Sequence, residues 1–250
     1  MRATRPSHVG TADHVPIARA LSALLFLAAA AAAAPAPPQH VVLRTEDGWT
    51  LSGDYRAPRR GGTVVILAHG VGSSKSEWAS LAEALSRRGV GTLALDLRGH
   101  GASRKGPAGE RGYDDFDATG EWPKAVGDLL AADKWLRGRG FANRRIAFGG
   151  ASIGANLAAA AAARLRCRTF VVLLSPGVDY HGVRLELPAS ARILIGASPP
   201  DVYADRTREA AARDTNAETF SAPAGHGVQM FEDPATLKRV ADWIERAAAR

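Results

Sequence analysis

The stretch IAFGGASIGAN, residues 146–156, sets Ser152 between Gly150 and Gly154, where an apolar run gives way to an alanine-rich segment. This spacing is the G-x-S-x-G pattern of a nucleophile elbow, a sharp strand-to-helix turn. Side chains at 150 and 154 would collide across such a turn, so both positions call for glycine. The serine hydroxyl is then left projecting at the carboxyl edge of the sheet, and the helix start behind it favours negative charge. The chemistry implied is nucleophilic attack on a carbonyl.

A serine hydroxyl is a weak nucleophile and needs a base within hydrogen-bond reach. Of the seven histidines, His226 stands in PAGHGVQMF, after the last apolar run and before the closing helix, which puts it at the same edge as Ser152. His8, His14 and His40 belong to the amino-terminal leader or its border. His69 and His100 lie in glycine-rich turns ahead of the serine and read as turn-ordering residues, and His181 lies in a short loop. The base needs a carboxylate to fix its tautomer. Asp201, after RILIGASPP, is favoured, and Asp179, after VVLLSPG, is the alternative; each also has the plain reading of a loop or helix-capping aspartate. A tetrahedral intermediate needs backbone donors. The turn His69-Gly70-Val71-Gly72 and the helix start after the serine place these in the amides of Val71 and Ile153. This scheme calls for no metal and no cofactor.

The elements that must hold these residues follow from the hydrophobic pattern. HVVLRTEDGWTLSGDYRAP is two alternating runs around Asp47-Gly48, a hairpin signal. TVVILAH (63–69), VGTLALDL, RRIAFGGA, TFVVLLS, ARILIGA and AETFSAP are short runs suited to strands, most of them continuous enough for burial on both faces. Helical spacing appears in Ser76–Gly89, with Ser76 as a candidate cap, and in EWPKAVGDLLAADKWLRGRG, SIGANLAAAAAARLR, DVYADRTREAAAR and PATLKRVADWIERAAA. Strands alternating with helices after an opening hairpin predict an α/β fold with a mostly parallel eight-stranded sheet covered on both faces. Only PGVDYHGVRLELPAS separates VVLLS from ARILIGA, which leaves no room for a sizeable cap domain. Residues 101–120, rich in Gly, Arg, Lys and Asp, leave open a small lid or a surface loop.

Composition narrows the function classes. The chain has 250 residues, 46% hydrophobic and 23% charged, with a formal net charge of +7. The arginines fall in scattered pairs such as Arg59-Arg60, Arg87-Arg88 and Arg144-Arg145, without interleaved aromatics, so the excess reads as solvated surface rather than a nucleic-acid site. Residues 1–38 read as a leader. Arg2, Arg5 and Arg19 precede ALSALLFLAAAAAAA and then PAPPQ, which matches a secretory signal cut near Ala33 better than a spanning helix. The domain organisation expected is therefore a leader over 1–38 and one domain over 39–250. The protein is exported to the periplasm or beyond if the leader is cleaved and cytoplasmic otherwise, with no stable membrane span in the mature chain. Cys167, the one cysteine, can form no internal disulfide.

HGVG after the third strand, DLRGHGAS after the fourth, GASIG at the elbow, an aspartate after the seventh and GHG after the eighth together resemble the α/β-hydrolase superfamily over nearly all of 39–250. The chain looks like its small bacterial dienelactone-hydrolase-like and serine-esterase-like members, in which the acid follows the seventh strand, and this supports Asp201. Dienelactone hydrolases proper have a cysteine nucleophile where this chain has Ser152, so that activity does not carry over. DLRGHGAS is also similar to monoglyceride-lipase-like hydrolases, whose cap has no room here. The resemblance implies a serine hydrolase acting on a small or short-acyl carboxylic ester through a Ser152–Asp201–His226 triad. An acyltransferase or peptidase with the same triad is the enzyme alternative. A non-catalytic binding protein that keeps the fold is the other, against which stand the intact Ser152, His226 and glycines.

Overall fold

The computed structural model describes Met1, Ala3 and residues 37–249 apart from 168 and 216; most of the leader, including its apolar run, lies outside the described residues. Strands β1 (Gln39–Arg44) and β2 (Thr50–Arg56) pair antiparallel, with Leu43 opposite Leu51. The turn between them closes where Gly48, at φ 96°, takes a conformation few side chains tolerate, and the Trp49 amide donates to Thr45 Oγ1 at 2.8 Å.

The parallel core follows: β3 (Val64–Ala68), α1 (Ala79–Arg87) and β4 (Gly91–Leu95). The 101–120 region adds two-residue strands, β5 (Lys105–Gly106) and β6 (Gly109–Glu110), and a short helix α2 (Phe116–Thr119). Then come α3 (Val126–Gly138), β7 (Ile146–Ala151), α4 (Ile153–Arg164) and β8 (Phe170–Leu174). A separate small hairpin of β9 (Asp179–Tyr180) and β10 (Val183–Arg184) occupies the connection to β11 (Arg192–Ala197), followed by α5 (Val202–Asp214), β12 (Glu218–Ser221) and α6 (Pro234–Ala248). The main sheet runs β12-β11-β8-β7-β3-β4-β2-β5-β6, with β1 also on β2. From β4 to β12 every pairing is parallel.

Alternation along the strands divides the core in two. Val64, Ile66, Phe148, Val171 and Ile195 face α3 and α4, whereas Val65, Leu67, Ala147, Val172 and Leu194 face α1 and α6, where Trp78, Leu85, Trp243 and Ile244 meet them. Each strand needs apolar residues in both phases, which is why the sequence shows continuous runs there.

Three expectations need correction. Among the described residues the sheet has ten strands rather than eight, because the 105–110 segment pairs onto β2 through Thr50 and Lys105. The helix expected from Ser76 begins at Ala79, after a 3-10 turn over Lys75–Trp78, and Ser76 does not cap it. The helix expected from Glu121 begins at Val126, after another 3-10 turn that contains Pro123, a residue that supplies no backbone donor.

Arg98 ties the loop after β4 to the rest. Its buried guanidinium pairs with Asp128 of α3 at 2.8 Å, with Glu121 at 2.7 Å and with Asp47 of the opening hairpin at 2.7 Å. Burial alone would lower its pKa, but the three carboxylates outweigh this and hold it protonated. Arg98 is the residue of the DLRGHGAS segment that makes this anchorage.

Candidate active site

Ser152 sits between β7 and α4 with φ 55° and ψ −127°, a backbone conformation that β-carbon-bearing residues rarely adopt. Its amide donates to the Leu174 carbonyl at 2.9 Å, so the strained residue is held by an extension of the β7–β8 pairing. The flanking glycines are dictated by contact. A Cβ at Gly150 would lie 2.0 Å from the Gly154 carbonyl oxygen, and one at Gly154 would lie 2.3 Å from the Ala68 carbonyl oxygen. Because these neighbours are backbone, no rotamer change relieves the clash. Gly154→Ala is therefore expected to cost on the order of 4 kcal/mol and to lower Tm by about 8–16 °C. A melting curve within two degrees of wild type would contradict this packing.

Ser152 occupies the N-cap position of α4 and its side chain makes no capping bond. The hydroxyl is thus not used by the helix. The Val71 and Ile153 amides donate to no acceptor among the described residues, as expected for a turn and a helix start.

His226 lies in the turn after β12, between Gly225 at φ 93° and Gly227 at φ 58°. Two buried serines that the sequence reading did not single out fasten this turn. Ser198 Oγ donates to the Gly225 carbonyl at 2.6 Å, and Ser175 Oγ accepts from the Gly227 amide at 2.9 Å. A Cβ at Gly227 would meet Ala151 at 3.0 Å, so the turn is pressed against the end of β7.

His226 Nδ1 and Asp201 Oδ2 are 2.7 Å apart. Asp201 is the N-cap residue of α5, yet its side chain makes no capping bond and turns to the imidazole instead. Asp179 is elsewhere: its carboxylate accepts from the Gly182 amide at 2.8 Å inside the β9–β10 hairpin. Among the described residues no hydrogen bond joins Ser152 Oγ to His226. The two side chains line one cleft of about 600 Å³, together with Gly70, Val71, Ser73, Glu77 and Phe231. No residue of 101–120 lines it.

Tyr180, on β9, went unnoticed in the sequence. Its hydroxyl interacts with the Ser152 side chain and points to the Ser175 carbonyl at 3.4 Å, and its ring meets Tyr203 edge-on at 5.5 Å. Burial, then Asp201 and Tyr203, push its phenol above the usual range, so it is a protonated hydroxyl. Nothing but the turn dipeptide His181-Gly182 after it hints at its position.

His69 and His100 lie off the cleft. The Leu97 amide donates to His69 Nε2 at 3.0 Å, which leaves the proton on Nδ1, 2.7 Å from the Gly70 carbonyl oxygen it bonds. The neutral ring thereby links the end of β4 to the turn that carries Val71. Burial, with some repulsion from His100, lowers the His69 pKa to about 4. The unfolded chain takes up a proton there from about pH 6.5 downward and the native state does not. The stabilisation is therefore complete above pH 6.5 and lost as pH falls toward 4, in an amount on the order of 3 kcal/mol. The gap in urea stability between wild type and His69→Gln is expected to narrow across this window; a gap that stays constant from pH 7 to pH 4.5 would contradict it.

Among the described residues no group of His, Cys, Asp and Glu is arranged to hold a metal ion, and no helix is long and apolar enough to cross a membrane. The backbone resembles several solved hydrolases. An esterase from Pyrococcus furiosus superposes with a TM-score of 0.63 at 20% identity, covering 84% of this chain and 93% of that one. A dienelactone hydrolase from Anabaena variabilis gives 0.59 at 22% identity, covering 85% and 97%. An esterase from Pyrobaculum calidifontis gives 0.61 at 19%, covering 88% and 86%. In sequence, an uncharacterised Mycobacterium tuberculosis protein is 34% identical over 139 residues, which span 54% of this chain and 44% of that relative. The model of the alpha/beta hydrolase family matches residues 65–250. With the strand order, the serine elbow and the family match in agreement, the chain belongs to the alpha/beta hydrolase family.

Proposed function

We propose that this protein is a serine hydrolase that cleaves small or short-acyl carboxylic esters through an acyl-enzyme on Ser152. The observation that carries the reading is the 2.7 Å contact between His226 Nδ1 and Asp201, made by an aspartate that forgoes its helix cap, in the cleft where Ser152 sits on a strained elbow. With Nδ1–H committed to Asp201, Nε2 is the basic nitrogen of the imidazole. Nε2 takes the hydroxyl proton as Ser152 Oγ attacks the ester carbonyl carbon. The oxyanion that forms accepts hydrogen bonds from the Val71 and Ile153 amides. The intermediate collapses, the C–O bond to the alcohol breaks, and the imidazolium delivers its proton to the departing oxygen. A water molecule, giving its proton to His226, attacks the acyl carbon; the C–O bond to Ser152 Oγ then breaks, the imidazolium returns its proton to Oγ, and the carboxylic acid leaves. Hydrogen bonds between serine and histidine are often long without substrate and tighten when it binds, so their separation here is compatible with this sequence of steps.

The cleft walls Val71, Ala151, Val228 and Phe231 suit a modest acyl chain. The test is hydrolysis of p-nitrophenyl esters from acetate to laurate by the full chain. Turnover is expected to be highest at the short end and to decline with length. Activity that rises steadily to laurate would contradict the short-acyl reading.

A further inference from the structure

Glu77, in the 3-10 turn after the Val71 loop, is used by none of the steps above. Its Oε2 accepts from Ser73 Oγ at 2.5 Å, and its carboxylate also interacts with the Gly70 amide. The Ser73 amide in turn donates to the Gly70 carbonyl at 3.3 Å. The carboxyl thus reaches back to the turn that presents the Val71 amide and is bonded to it at Ser73. Lys75, two residues before Glu77, is anchored separately: its amide and Nζ each bond Asp96 at 2.8 Å. This fixes the base of the 3-10 turn from which Glu77 projects.

Glu77 and His226 line the same cleft, and the imidazole is one of the groups that favour the Glu77 carboxylate. Among the described residues Glu77 forms no ion pair with lysine or arginine, and its buried Oε1 has no hydrogen-bond partner. Burial raises its carboxyl above the ordinary value, while Ser73, the Gly70 amide and His226 act in the opposite sense and favour the anion. The charged and titratable groups around the imidazole are Asp201 at Nδ1, Tyr180 against the ring edge at 6.5 Å, and Glu77 and Glu232 along the cleft. Of the last two, Glu77 is the one that also touches the oxyanion turn.

We propose that Glu77 is a positioning residue of the hydrolytic site: its carboxylate clamps the Gly70–Ser73 turn so that the Val71 amide meets the oxyanion, and its charge supports His226 when that residue carries the proton. This rests on the ester-hydrolase reading given above. The two functions of the carboxylate separate in degree by substitution. Ser73→Ala removes the bond that holds the carboxyl to the turn but keeps an ionisable group; Glu77→Gln keeps an acceptor for Ser73 and removes the charge.

The experiment is the pH dependence of kcat and kcat/KM on p-nitrophenyl acetate for wild type, Ser73→Ala and Glu77→Gln, with melting curves and fluorophosphonate labelling of each. Misplacing one oxyanion donor by a fraction of an ångström is expected to lower kcat about tenfold in Ser73→Ala, with KM nearly unchanged. Its acid limb should move less than that of Glu77→Gln, because the carboxyl group is still present. In Glu77→Gln the acid limb should move to lower pH, because loss of a nearby anion disfavours the imidazolium and less acid-sensitive base remains available. An acid limb common to all three proteins, or kcat in Ser73→Ala equal to wild type, would overturn the proposal. If wild type neither turns over esters nor takes up the label, the hydrolase reading itself fails and the assignment of Glu77 falls with it. Labelled, active wild type with unresponsive variants would remove Glu77 alone.

Discussion

Ser152→Ala is expected to abolish ester hydrolysis, with kcat falling by about 10⁶, while the protein keeps its fold. The hydroxyl makes no capping bond to α4, so its removal leaves no helix donor unsatisfied. Alanine must still adopt φ 55°, but that strain is already present in the wild type, since serine bears a Cβ too. The elbow is held by features the substitution does not touch: the Ser152 amide on Leu174, and the close approach at Gly150 and Gly154. Rate and stability therefore separate at this residue, and they do not separate at Gly154. A Ser152→Ala protein retaining more than about one per cent of wild-type turnover would mean that another group carries the chemistry; losses at such nucleophiles are normally far larger.

The second large effect is expected at the acid. Asp201→Asn should lower kcat by about 10⁴, since an amide in that place can donate to Nδ1 and favour the tautomer that presents a proton, not a lone pair, to Ser152. Asp179→Asn is expected to leave kcat within about threefold, because its carboxylate serves the Gly182 amide in an exposed hairpin and an asparagine oxygen can replace it. Steady-state kinetics of the two variants side by side check the assignment. Equal losses, or a larger loss at Asp179, would reverse it.

The legibility of this site in the sequence was uneven for physical reasons. Strands buried on both faces must be apolar at every position, so VVILA and FVVLL announce themselves locally. Gly150, Gly154, Gly225 and Gly227 mark places where the backbone is closely approached or φ turns positive, a requirement that favours glycine. By contrast, β5 and β6 are two residues each, and β5 joins the sheet only by pairing with a strand some fifty positions earlier, which no window of sequence displays. Tyr180, Ser175, Ser198 and Glu77 are common residue types whose roles come from what they face across the sheet edge. Asp201 lay between these cases. Its position was readable, but capping aspartates are frequent, and only the direction of its side chain tells a cap from a partner of His226.

Covalent capture tests the central claim most directly. The full chain is treated with a fluorophosphonate, digested, and the modified residue located by mass spectrometry, with heat-denatured protein as control. A single adduct is expected on Ser152, formed by native and not by denatured protein, and much slower in His226→Ala because the hydroxyl there lacks its base. A natively folded chain that stays unmodified, or one labelled at another residue, would contradict it.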